Sequence, residues 1–412
     1  MTKIKPFKAI RPTRDKAYLV ATRPYYSYKK HVLEAKLETN PYTFLHVINP
    51  EFSMQEEKSE PYSLERCVRS REKLEEFISE GIMFRDEKET LYLYRQSNSE
   101  TEYVGLIAGA SVDEYDSGKI KKHEETITQR EKHFTKYLQV VECNAEPVLL
   151  FHRHHEKLEE TLEQIMRDRP EYEFTTTQKI KHEVWLIQDE KIISEIQRYY
   201  EDIDSVYIAD GHHRCASSSR YSKEVNAKKD GFRNYFMAYF ISEVNMGILD
   251  YNRIVKDLNG LSKQEFIRLV KENFEVTELG EHAPNCTSIH QIMMYLDKKW
   301  YLLNMESAEF DPSDSVGQLD TNILTVNLLR PILGIQDLKT DARISFVAGY
   351  RGLEGIEEKI DSGDYEVGFV LFPVSVEQLK TVADEGRIMP PKSTWIEPKL
   401  RSGLTMYPLN DD

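Results

Sequence analysis

The stretch SVYIADGHHRCASSSRY, Ser205 to Tyr221, constrains the fold more than any other part of the chain. Val206, Tyr207, Ile208 and Ala209 form a β-branched and aromatic run, the composition of a buried strand. Upstream, Ile192, Ile193, Ile196, Tyr199 and Tyr200 recur at i, i+1, i+4, i+7 and i+8, one face of an amphipathic helix of about three turns. Gly211 supplies a sharp turn, and a polar helix can begin near His213. The unit is helix–strand–turn–helix, with Asp210, Gly211, His212, His213 and Arg214 at the carboxyl end of the strand.

The rest of the chain is read around this unit. Strands are expected at AYLVAT, YTFLHVI, TLYLYRQ, YVGLIAGASV, PVLLFH and YEVGFVLFP, with a charged helix KIKKHEETITQREKHFTKYLQVV starting from Lys119. Ser375 with Gln378 makes a capping box for the helix VEQLKTVADE, and Gly386 is its stop. The alternation of short strands and amphipathic helices predicts a mixed α/β, or α+β, fold. A length of 412 residues suffices for two or three domains. A boundary near residue 245, after YFMAYFISEVN, divides 1–245, which carries the box, from 246–412, which ends in the Pro-rich loop Lys392–Gly403.

Charge and cysteine usage exclude several classes. The formal net charge of −15, from 70 acidic and 55 basic residues, disfavours non-specific nucleic-acid binding. Four widely separated cysteines with no C-x-x-C pair exclude a zinc ribbon and point to a reducing compartment. No apolar run reaches membrane-spanning length, and the start lacks a signal-peptide pattern. A soluble cytoplasmic protein without nucleic-acid or membrane partners is expected; the oligomeric state is not legible.

A helix start, a glycine and an arginine together make an anion site, to which Arg214 adds a planar fork for phosphate oxygens. Asp210 can hold a divalent cation such as Mg²⁺ or accept a proton. His212 and His213 can donate to phosphate, act as acid or base, or bind metal. Adjacent helical histidines point about 100° apart, so one is expected at the ligand and the other holding the turn. The plain alternative is a helix cap with histidines decorating its first turn. Zinc lacks a third ligand at a metal-like spacing.

Four other clusters carry chemistry. In KKHEET, Glu124 is the candidate carboxylate to deprotonate a substrate hydroxyl, with His123 beside it; a solvated helix face is the alternative. PPKSTWIEPKLRSG offers Lys392, Ser393, Thr394 and Lys399 to phosphate, though the glycines of a Walker A loop are missing. RPYYSY, Arg23 to Tyr28, can stack a base or pair an anion, packing being the commoner use. FHRHHE sets His152 and His154 on one side of a strand end, a metal pair or an exposed turn.

YIADGHHRCASS resembles the signature of the domain-of-unknown-function family numbered 1015. IKPFKAIRP, RPYYSY, NPYTFLHVINPE, YLYRQ, GKIKKHEETITQREKHF and MPPKSTWIEPKLRSGL follow that family's order of segments. The box is also similar to the phosphate-binding box of the ParB/sulfiredoxin superfamily. His212 stands where sulfiredoxins place their cysteine, and Cys215 falls one residue after Arg214, which argues against sulfiredoxin chemistry. The Asp-Gly-His type of box resembles that of free serine kinases. This resemblance implies a ParB/sulfiredoxin-like nucleotide-binding core, ATP or ADP as cofactor, and free L-serine or another amino acid as acceptor. Under it, Gly211, Arg214, His123, Lys392, Ser393, Thr394 and Lys399 bind nucleotide, with Asp210, His212, His213 and Glu124 as catalytic groups. A non-catalytic nucleotide-binding regulatory protein is the alternative it leaves open.

Overall fold

The computed structural model describes residues 2–52, 58–305 and 310–410, the side chain of Tyr26 excepted. The chain divides into two compact units, Met1–Met246 with Pro398–Asp412, and Gly247–Glu397.

The first unit is built on a nine-stranded mixed sheet. Its strands are β1 (Ile4–Lys5), β2 (Leu91–Ser97), β3 (Glu102–Ser111), β4 (Ile120–Lys121), β5 (Val148–His152), β6 (Tyr172–Thr175), β7 (Lys181–Ile187), β8 (Val206–Asp210) and β9 (Tyr235–Ser242). Their order is β4-β8-β5-β9-β3-β2-β7-β6, with β1 on β3. β9 runs parallel to β5 and antiparallel to β3. All eight of its residues, YFMAYFIS, are buried, the continuous apolar run that a strand covered on both faces requires. β8 pairs parallel with β4 and antiparallel with β5, and its register with β5 shifts between Ile208 and Asp210. Such a bulge turns the following side chain away from the plain alternation. The residue it re-aims is Asp210.

Three helices matter for the site: α1 (Thr128–Val141), α2 (Glu190–Glu201) and α3 (His212–Glu224). α2 starts on Asp189, whose Oδ1 accepts from the N–H groups of Lys191 (2.8 Å) and Ile192 (3.2 Å). It buries Ile193, Ile196, Tyr199 and Tyr200, the face that the periodicity predicts. α3 buries Cys215 in the core under the sheet and presents Ser217 to α1, where Thr135 Oγ1 donates to the Ser217 carbonyl (3.3 Å). Small serines let two helices approach closely enough for that bond.

Several local expectations are corrected. AYLVAT contains a single helical turn, Ala17–Val20, and YTFLHVI another, Leu45–Ile48. Their buried residues Val20, Phe44 and Val47 join Ile10, Leu74 and Phe77 in a separate apolar cluster. Short apolar runs carry too few residues for their period to separate strand from helix. The charged stretch from Lys119 is not one helix: Ile120–Lys121 pairs with β8, residues 122–127 form a loop, and α1 begins at Thr128. The closing loop is also divided. Pro398–Asp412 belongs to the first unit, where Ile10 and Met406 exchange backbone hydrogen bonds of 3.0 and 2.9 Å and Tyr407 pairs with Asn144. Leu404, Met406, Tyr407 and Leu409 are buried there, an apolar anchor just after the Lys392–Gly403 loop.

The second unit is a six-stranded antiparallel sheet of β10 (Tyr251–Val255), β11 (Glu275–Gly280), β12 (Gln291–Leu296), β13 (Lys299–Asn304), β14 (Ile344–Ala348) and β15 (Val367–Leu371). The order is β11-β13-β12-β15-β10-β14. The predicted capping box is present: Gln378 N–H donates to Ser375 Oγ (3.1 Å) and Ser375 N–H to Gln378 Oε1 (3.0 Å). Among the described residues no helix is long and apolar enough to cross a membrane.

Candidate functional site

The box sits where the sequence reading put it, at the carboxyl end of β8. Gly211 has φ +106°, a conformation that L side chains rarely adopt, and a Cβ there would meet both Val148 methyl groups at 3.3 Å. Its carbonyl accepts from the N–H groups of Arg214 (2.8 Å) and Cys215 (3.1 Å), which starts α3 at His212. The strand therefore hands over to the helix within one residue, and the N–H groups of His212 and His213, which precede the first bonds within the helix, lie at the carboxyl end of β8.

Asp210, Arg214 and Lys399 converge on one cleft, lined also by Pro24, Glu146, Pro147, Leu149, Pro398 and Leu400. Lys399 Nζ donates to Asp210 Oδ2 at 3.1 Å. Burial opposes the Asp210 charge, but Lys399 and Arg214 outweigh it and hold the carboxyl down to about 2. Arg214 Nη1 donates to the Pro147 carbonyl and stands 3.7 Å from Glu146 Oε2. Glu146 accepts in turn from Ser402 Oγ (2.6 Å). Two cations and two carboxylates balance here without a ligand.

The sequence reading missed Glu146 and Pro147. The signal was the Glu-Pro pair before PVLLFH, since proline holds the residue preceding it extended and opens a strand. Lys399 is the residue of the closing loop that reaches the box. Lys392, Ser393 and Thr394 belong to the second unit. There Ser393 Oγ donates to the Pro390 carbonyl (2.7 Å) and contacts Thr321 Oγ1 (3.1 Å), while Lys392 Nζ lies over the Tyr251 ring.

Both box histidines accept a backbone hydrogen bond from the loop before α1. His212 Nε2 accepts from the His123 N–H (3.4 Å), and His213 Nε2 accepts from the Ile127 N–H (3.0 Å). An acceptor nitrogen carries no proton, so each neutral ring holds its proton on Nδ1. On His212 that nitrogen faces Glu124 Oε2 at 3.6 Å. Both histidines thus fasten the 122–127 loop to the first turn of α3. Burial, then the neighbouring His123, pushes His212 well below its ordinary value. His123 packs edge-on against His212 and, by burial, is brought down to about 4 despite Asp210; its Nδ1 is buried without a hydrogen-bond partner among the described residues.

Metal and redox readings fare differently. The cleft offers Mg²⁺ two carboxylates, but Asp210 stands against the Lys399 ammonium and Glu146 beside the Arg214 guanidinium; a pair of carboxylates each facing its own cation does not fit a resident magnesium. No group of three or more His, Cys, Asp or Glu among the described residues could hold a metal ion. His152 is tied to the Tyr200 hydroxyl (3.3 Å) and the Arg153 carbonyl (2.9 Å) instead. Cys215 lies fully buried in the core, where burial pushes its thiol up, the opposite of a reactive thiolate.

Residues 4–322 match the family described as "Protein of unknown function (DUF1015)". The chain belongs to the DUF1015 family. No curated protein matches this DUF1015 chain. Among solved structures, a free serine kinase in complex with AMP shares 15% identity with a TM-score of 0.34, over 74% of this chain and 90% of that one. SbnI with C-terminal truncation from Staphylococcus aureus shares 13% identity with a TM-score of 0.41, over 74% and 90% of the two chains. A conserved hypothetical protein from Pyrococcus furiosus shares 14% identity with a TM-score of 0.33, over 72% and 91%. The resemblance of this DUF1015 member to these structures is remote.

Proposed function

We propose that this protein is a nucleotide-dependent small-molecule kinase, with ATP or ADP as phosphate donor and free L-serine as the first acceptor to test. The observation that carries the reading is the convergence of Lys399 and Arg214 on the N-terminus of α3, in a cleft at the end of β8. Phosphoryl transfer asks a protein mainly for positioning and charge neutralisation. Phosphate oxygens entering the cleft would take the first-turn N–H groups, Arg214 and Lys399 from their resting partners. Lys399 would leave Asp210, still ionised, at the cleft to orient an acceptor hydroxyl. A loose transition state needs little proton affinity from that carboxylate. Glu124, facing His212 Nδ1, would set the 122–127 loop, with His123 beneath it. Mg²⁺ would arrive with the nucleotide as its counter-ion and shield the phosphate charge.

The test is calorimetric titration with ADP and ATP, with and without Mg²⁺, followed by ³¹P NMR of L-serine incubated with nucleotide and protein. Arg214→Ala and Lys399→Ala should each weaken ADP binding about tenfold or more, as loss of a hydrogen bond to a charged group does. Asp210→Ala should abolish phosphoserine formation. Absence of nucleotide binding sinks the reading. Tight binding without transfer or hydrolysis gives the regulatory, non-catalytic alternative.

A further inference from the structure

Three arginines are buried among the described residues. Arg11 lies 2.8 Å from Asp86 and 3.2 Å from Glu171, and Arg253 donates to the Tyr251 and Pro391 carbonyls. Arg401 has neither a carboxylate nor a carbonyl among those residues. It is 7% exposed, yet among the described residues its one hydrogen bond runs from Nε to the neutral ring of His182, at 3.3 Å. His182 is itself held by the Tyr94 hydroxyl (2.8 Å), and burial, then Arg401, brings it down to about 3, so it carries no charge to offset the guanidinium. No carboxylate of the described residues pairs with Arg401, and its two Nη groups are left for something else.

A second cation faces it. Thr22 and Ser402 exchange backbone hydrogen bonds of 3.1 and 2.8 Å in an antiparallel bridge. The residues flanking such a bridge, here Arg23 and Arg401, stand opposite each other as the pair whose side chains come closest. Like charges directly opposite are destabilising, and an unpaired buried charge is more so. Arg23 lies over the Tyr28 ring at 4.4 Å and has no ion pair among the described residues. Pro24 and Leu400, the chain neighbours of these two arginines, line the same cleft as Asp210, Arg214 and Lys399.

We propose that Arg401 and Arg23 form a carboxylate-binding subsite beside the phosphate cleft, which holds the α-carboxylate of the acceptor substrate. This rests on the kinase reading for its acceptor but not for its chemistry. A guanidinium with both Nη groups unspent presents the fork that a two-oxygen carboxylate matches. The first-turn N–H groups, Arg214 and Lys399 serve the nucleotide, and the arginine pair serves the molecule that receives the phosphate. The site therefore selects acceptors that carry a carboxylate.

The experiment uses the full chain and thermal unfolding at fixed ionic strength, with chloride as reference. L-serine and acetate should raise the melting temperature of the native protein, and L-serinamide, which lacks the carboxylate, should not. Arg401→Gln and Arg23→Gln should abolish that response, and KM for L-serine should rise about 30-fold, the low end of the cost of removing one partner of a buried charge pair. ADP affinity should stay within about twofold of the native value, because the nucleotide groups are untouched. Arg401→Gln without ligand should melt no lower than the native chain, since it removes an uncompensated charge; an arginine kept for packing would melt lower. No response of the native protein to any carboxylate overturns the proposal. A loss of ADP affinity in both variants also overturns it, by giving the arginines to a nucleotide phosphate. If the kinase reading alone fails, phosphoserine is absent while the carboxylate response persists.

Discussion

Asp210 stays charged because Lys399 and Arg214 outweigh the cost of its partial burial. A carboxyl near 2 in the folded chain and about 4 in the unfolded one stabilises the fold above pH 4, and that contribution fades as pH falls towards 2. The buried histidines act in a higher window. His123 and His152 are brought down to about 4 and His182 to about 3, in each case first by burial, so none binds a proton near pH 6 in the folded state. The unfolded chain binds them near 6.5, so stability should hold above pH 7 and fall between 6.5 and 4. Each of the pair near 4 contributes at most roughly 3 kcal/mol of that fall. Urea midpoints across this range are the check, and a midpoint that rises on acidification would contradict the burial of these rings. Gly211→Ala forces a side chain into φ +106° against Val148 and should cost about 1–3 kcal/mol, read by the same denaturation.

The join between β8 and α3 is an element-scale device. His212 and His213 accept from backbone N–H groups of the 122–127 loop, which fixes that loop against the helix start. His213→Ala should leave the Ile127 N–H without its acceptor and raise its hydrogen exchange at least tenfold, with the β9 amides unchanged. The long or well-capped elements were legible in the sequence. α2 had its periodic face, β8 its apolar run, and the helix after Ser375 its capping box. The box itself was legible because strand, glycine and polar helix follow in order. The one-turn helices at Ala17–Val20 and Leu45–Ile48 were not, since so short a run is decided by the surface it packs on. Nor was β4, two residues that become a strand by lying along β8. Glu146 and Pro147 escaped for a similar reason: their part depends on what β5 brings beside the box.

At the scale of the molecule, the first unit is closed by residues that follow the whole second unit in sequence. Buried Leu404, Met406, Tyr407 and Leu409, and the Ile10–Met406 bridge, tie them down. Truncation after Glu397 should lower the melting transition of the first unit by several degrees or more and remove ADP binding, as calorimetry and titration would show; an unchanged transition would mean the anchor is not structural. The return is not legible in the sequence because nothing in MPPKSTWIEPKLRSGL marks Pro398 as the point where the chain rejoins the first unit. The consequence concerns the order in which the chain is made. During synthesis Asp210 and Arg214 leave the ribosome almost two hundred residues before Lys399 and Arg401. A nascent chain can build the sheet and the turn, yet it cannot complete the cleft until the second unit has also emerged. A complete cleft is thereby reserved for chains whose translation has run through both units.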